Sequence, residues 1–126
     1  MAKQYDKNNV FAKIIRGEIA SKQVYQDDDI LIIHDISQAA PVHVLAMPKG
    51  EYISFNDFVQ NAPADKISQF FKKIQETADK LGIVDSGYRI ITNHGADASQ
   101  SVAHFHVHLL GGTSLGGLLP GDKKVR

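Results

Sequence analysis

Three histidines alternate with apolar residues in the run His104-Phe105-His106-Val107-His108-Leu109-Leu110. In an extended chain successive side chains point to opposite faces at about 3.3–3.4 Å per residue, so the three imidazoles fall on one face at intervals of ~6.7 Å. Ala103, Phe105, Val107 and Leu109 fall on the other face, which makes that side the one for a core and the imidazole side the one for chemistry. With 6 histidines in 126 residues, chance would put two more at both alternate positions after His104 roughly once in 400.

Residue types alone leave two other uses for such a face. A single imidazole on a polar sheet face is most simply satisfied by backbone partners, although three in alternation are a poor match to that account. A His-x-His strand can also supply two ligands of a three-histidine zinc site, with His43 or His94 as the third. No carboxylate stands in this strand, and the apolar residues between suit sheet packing better than an open metal cup.

The elements that must position these residues can be read from periodicity. Asn8 or Asn9 can cap a short helix on which Val10, Phe11, Ile14 and Ile15 share a face, with Gly17 as its stop. Val24 to Gln26 and Ile30 to Asp35 read as strands around the solvated turn Asp27-Asp28-Asp29, and Val42 to Met47 as a third strand closed by Pro48-Lys49-Gly50. Residues 64–81 carry Ile67, Phe70, Phe71, Ile74, Ala78 and Leu81 at steps of three and four, with Pro63 before and Gly82 after: a long helix to cover the sheet. Tyr88 to Thr92 and Val102 to Leu110 complete the strands. One long and one short helix among five strands make the class α+β with a mostly antiparallel sheet.

Composition narrows the partners. There is no cysteine, which excludes disulfides, thiolate metal centres and thiol catalysis. Fourteen basic residues balance fourteen acidic ones, so no global field gathers nucleic acid or a membrane surface, and an anionic ligand must be held locally. The polar start Met1-Ala2-Lys3-Gln4-Tyr5 lacks the apolar stretch of a secretory signal, no later run approaches membrane-spanning length, and the expected location is cytoplasmic. The length fits a single domain over residues 1–126, its core about 9–112, with an irregular tail over 113–126 and a small basic tip at 122–126.

The triad run resembles the His-x-His-x-His-x-x signature of the histidine-triad superfamily, and its surroundings resemble the Hint branch, the adenosine phosphoramidases. The supporting segments are Phe11-Ala12-Lys13-Ile14-Ile15-Arg16-Gly17-Glu18-Ile19, His34-Asp35-Ile36-Ser37, Ala40-Pro41-Val42-His43-Val44-Leu45-Ala46-Met47-Pro48-Lys49, Tyr88-Arg89-Ile90-Ile91-Thr92-Asn93 and Gln100-Ser101-Val102. The resemblance implies a five-stranded antiparallel sheet per subunit, continued across a two-fold homodimer. It also implies a bound purine nucleoside monophosphate or phosphoramidate and hydrolysis at phosphorus; four histidines and backbone donors already supply the charge a divalent ion would bring, so no metal or cofactor is expected.

By the same matching His106 is the nucleophile, attacking through one nitrogen while a backbone carbonyl holds the proton on the other. His104 and His108 would flank it, orienting it and donating to phosphate oxygens, and His43 would complete the network. Ser101 matches the residue facing the leaving group, Asn93 would line the same pocket, and the amides around Gln100, Ser101 and Val102 would add donors. Asp35 would accept from the ribose hydroxyls, and His34, Val10, Phe11, Ile14 and Ile32 would form the base slot. Without the resemblance, the helix face of Val10, Phe11 and Ile14 reads more simply as packing on its own core, and His94 as an exposed loop residue. Two departures stand out: the segment Ser37-Gln38-Ala39-Ala40 lacks an early proline, and the tail has no tryptophan where relatives often carry one to reach the partner's site. Two further functions compete. A dinucleoside polyphosphate hydrolase or nucleotidyltransferase would share the triad, although the transferases replace the third histidine by glutamine. A nucleotide-binding module with little turnover would not need every catalytic position filled.

Overall fold

The computed structural model describes residues 4–124, so Met1 to Lys3 and the last two residues of the basic tip, Val125 and Arg126, lie outside the described residues. Five strands, β1 (Gln23–Gln26), β2 (Ile30–His34), β3 (Val42–Pro48), β4 (Tyr88–Ile91) and β5 (Val107–Gly111), form one sheet in the order β1-β2-β3-β5-β4 with every pair antiparallel. The first three strands are a meander. After them the chain passes through α2 (Phe55–Asn61) and α3 (Ala64–Lys80) and lays β4 at the far edge, leaving a slot that β5 fills.

The short helix α1 (Val10–Ile15) is capped by Asn9, whose side chain accepts from the Ala12 N–H. It ends at Gly17, which adopts φ +80° and donates to the Ile14 carbonyl; that left-handed turn is where a side chain would be strained. The long helix runs one residue short of the span its periodicity predicts and buries Phe70, Ile74, Thr77 and Ala78.

The sheet is covered on both faces. Ile30, Ile32, Val44, Ala46, Phe105, Val107 and Leu109 pack with Phe58 of α2 and Phe70, Ile74 and Ala78 of α3. Leu31, Ile33, Leu45 and Met47 pack on the other side with Phe11 of α1. The odd-numbered residues of the triad run therefore face the larger core, as alternation requires.

Two expectations need correction. The helix α2 is additional to the two read from the pattern: it has seven residues and buries only Phe58, so it shows no helical period. It is held by Ser54, whose side chain accepts from Asp57 N–H, and by Asp57, which accepts from Ile53 N–H at 2.7 Å. The last strand begins at Val107 rather than Val102. The Phe105 N–H is taken by the Tyr52 carbonyl at 2.7 Å, in the loop before α2, and Thr92 Oγ1 donates to the His106 carbonyl at 2.8 Å where a ladder bond would otherwise form. His104 and His106 thus sit in a bent segment leading into β5, and His108 alone of the three lies within it.

Candidate active site

The imidazole face is set by the pairing of β3 with β5. Leu45 lies opposite His108 and His43 opposite Leu110, so His43 and His108 are diagonal neighbours on the α1 side. Helix α1 brings Phe11 edge-on to His106, with ring centroids 4.7 Å apart, and edge-on to His104 at 6.4 Å. One face thus holds four imidazoles beside a small apolar core.

The hydrogen-bond partners decide where each ring proton sits. His106 Nδ1 lies 2.7 Å from the His104 carbonyl, which only accepts, so the proton is on Nδ1 and the lone pair on Nε2. His104 Nε2 donates to the Pro48 carbonyl at 2.7 Å, and its Nδ1 accepts from the Tyr5 hydroxyl at 2.6 Å. His43 Nδ1 accepts from the Ala39 N–H at 3.0 Å; its Nε2 proton then points to His108 Nδ1 at 2.9 Å, with Asp35 Oδ2 3.4 Å away. His108 is left with its proton on Nε2. Among these four rings, a lone pair is left without a partner on His106 Nε2 and an N–H is left to donate on His108 Nε2.

Burial favours the neutral form of the three triad imidazoles. It pushes the His104 pKa down to about 4, with the neighbouring His106 adding to the effect. His108 is also pushed down to about 4, first by burial and then by His106 and His43. His106 is lowered by burial as well, against the opposing pull of its carbonyl bond and of Asp35.

The expected roles divide on this geometry. His104 is fully buried with both ring nitrogens engaged, so it has no proton to give a phosphate; what it offers His106 is its backbone carbonyl. Ile32 belongs to the α3 core on the opposite face from His106, and the β2 residues on the triad side are Leu31 and Ile33. Phe11 and Ile14 pack in the small core, while Val10 is exposed. Asp35 and His34 line an open groove of about 740 Å³ with Ala20, Ser21, Lys22 and Gln38. Ile36, which the sequence reading passed over, also lines it and is entirely exposed.

Gln100 is spent inside the fold. Its side chain donates to the carbonyls of Ile53 and Val102 and accepts from Gly95 N–H, and its own amide donates to the Gly95 carbonyl, so it braces the loop ahead of the triad. Val102 packs on the small core, Ser101 is exposed, and Asn93 is half-buried just past β4. His94 is exposed and lines a separate cleft of about 530 Å³ against α2. Tyr5 and Thr92, both bonded to the triad segment, escaped the sequence reading because neither lies near it in the chain.

Asp35, His43 and His108 bring one ligand atom each within 4.8 Å of one another. To bind a cation through Nε2, His43 would have to carry its proton on Nδ1, where it would face the Ala39 N–H donor against donor. The cluster is therefore built for hydrogen bonding, and neither His94 nor a second carboxylate joins it.

The family model described as HIT domain matches residues 16–115. The purine nucleoside phosphoramidase of Escherichia coli (strain K12) is 40% identical over 87% of this chain and 92% of its own length. A HIT-like protein of Rickettsia prowazekii is 45% identical over 91% of this chain and 96% of its own. Among solved structures, a HIT family hydrolase from Clostridium thermocellum is similar with a TM-score of 0.83 at 41% identity, covering 90% of this chain and 99% of that one.

Proposed function

The chain belongs to the HIT-domain family, and from that premise we propose that it hydrolyses the P–N bond of purine nucleoside 5′-phosphoramidates through a nucleotidyl-histidine intermediate. The observation that carries this reading is the locked tautomer of His106: Nδ1–H held by the His104 carbonyl, Nε2 left as a neutral lone pair. A relative named for this activity supports the choice of substrate.

In the first step His106 Nε2 forms a bond to phosphorus as the P–N bond breaks, and the amine leaves with a proton. The His108 Nε2–H is the donor available to the phosphate oxygens. Ser101, which is exposed, relays or positions a proton drawn from solvent to the leaving amine, a serine hydroxyl being too weak an acid to supply it alone, and the water that later opens the intermediate returns a proton to solvent. Water then attacks phosphorus, the bond to Nε2 breaks, and nucleoside monophosphate is released with the imidazole regenerated. No metal is required, so turnover should survive chelation.

The test is an assay of adenosine 5′-monophosphoramidate beside a diadenosine polyphosphate, with and without EDTA. A kcat/KM at least tenfold higher for the phosphoramidate, unaffected by EDTA, is the expected result. Preference for the dinucleotide, or rescue by zinc after chelation, would replace this reading.

Asp35 is assigned to the ribose. Its Oδ1 accepts from Ser37 N–H, and Oδ2 retains lone pairs for a hydroxyl beside its contact with His43. Asp35→Ala should therefore weaken AMP by about 1.5–3 kcal/mol, as expected for a lost bond to a charged group, and weaken 2′-deoxy-AMP less. Equal losses in calorimetric titration would make Asp35 a residue of the 35–39 loop alone.

The assembly we propose is a two-fold dimer that buries the β4 edge, where Tyr88, Ile90 and Ile91 are exposed. Light scattering across a micromolar dilution series should give twice the chain mass. A monomer throughout would rule it out.

A further inference from the structure

We propose that Tyr5 is a positioning residue for the nucleophile, acting on His106 through His104. Tyr5 lies 99 residues from His104 in sequence, yet its hydroxyl donates to His104 Nδ1 at 2.6 Å and its ring stands edge-on to that imidazole, with centroids 5.6 Å apart. The acceptor it satisfies belongs to a fully buried ring, and among the described residues no buried side-chain nitrogen or oxygen is left without a partner. Burial also raises the Tyr5 pKa, so the hydroxyl keeps its proton across the neutral range and remains a donor.

The reason to assign this bond to catalysis is what His104 carries. His104 is tethered at two points, the Tyr5 hydroxyl and the Pro48 carbonyl, and its own carbonyl is the group that holds His106 in the Nδ1–H form. Without the hydroxyl, His104 Nδ1 becomes a buried acceptor with no donor, and the ring must shift or admit water to recover one. Either change moves the peptide unit bearing the carbonyl on which the His106 tautomer depends. Tyr5 and Phe11 stand at either end of the segment that opens α1 and both bear on His104, so residues 5–11 work as a clamp on the triad.

Tyr5→Phe keeps the ring and removes the bond. Long-range ¹H–¹⁵N spectra of the full chain should show wild-type His106 as a pure Nδ1–H tautomer. In Tyr5→Phe the His104 Nδ1 resonance should move toward that of an acceptor without a donor, and His106 should become a mixture of tautomers. This proposal rests on the phosphoramidase reading for its kinetic arm only: kcat should fall about tenfold, the lower range for an unmade buried bond, with KM within about twofold. Ile74→Val, a trimmed contact in the α3 core, controls for lost stability and should leave both tautomers and kcat unchanged. Unaltered His104 and His106 spectra in Tyr5→Phe would overturn the proposal, as would a kcat loss reproduced by Ile74→Val. A wild-type chain inactive on phosphoramidates would defeat the proposed function, and the spectra would then decide the role of Tyr5 alone.

Discussion

His106→Ala is expected to lower kcat for adenosine 5′-phosphoramidate by about 10⁴-fold or more, the scale of losing a nucleophile. Affinity for AMP should stay within about tenfold, because the bond to phosphorus exists only along the reaction path. The neighbours cannot substitute. His104 has both nitrogens engaged, and His108 presents a protonated Nε2 while its Nδ1 faces His43. The covalent intermediate gives a second measurement. Wild-type protein stopped in mid-turnover by alkaline denaturation, which spares an acid-labile phosphorus–nitrogen bond, should carry one nucleotide on the peptide containing His106. An adduct on another residue, or near wild-type rates for the variant, would overturn the assignment.

Acid should destabilise the fold before its carboxylates titrate. The folded chain holds His104 and His108 at about 4, against 6.5 for an unconstrained histidine. Between these values the unfolded chain binds protons that the native state refuses. The contribution to stability is thus complete above about pH 6.5, falls as pH drops through the window, and is gone below about pH 4. For the fully buried His104 the difference amounts to roughly 3 kcal/mol, a large part of the 5–15 kcal/mol typical of a domain. His108 is less buried and adds less. Urea midpoints measured from pH 7.5 to pH 4 should decline steadily below pH 6.5. A profile flat down to pH 4.5 would mean that these imidazoles protonate within the native state. Turnover should follow the same sign, since protonated His106 has no lone pair, but should persist below the ordinary histidine range because burial lowers its pKa.

The apolar periodicity of residues 64–81 was sufficient for α3, since a three-four repeat ending in glycine admits few other structures. Alternation in the triad run likewise told which residues face the α3 core: Val107 and Leu109 do so within β5, and Phe105, ahead of the strand, packs on the same side. The motifs spread over the chain were enough for the family, and with it the sheet. The helix α2 was not legible, as seven residues with one buried side chain carry no period. Nor was the choice between Ile32 and Ile33 on β2: adjacent residues on a strand face opposite ways, and only the docking of α1 shows which way the triad lies.

The chemistry of the site divides along the same line. Which residue types stand together, and at what spacing, is a property of the local chain and can be read from it. Which nitrogen of each imidazole carries the proton depends on groups brought from elsewhere: the Tyr5 hydroxyl, the Pro48 carbonyl and His43 lie 99, 56 and 65 residues from their histidine partners. His104, a phosphate donor by the family resemblance, is therefore a buried anchor in the fold. A neutral imidazole has one donor and one acceptor that are exchangeable until a partner fixes them, and the partners exist only once the chain is folded.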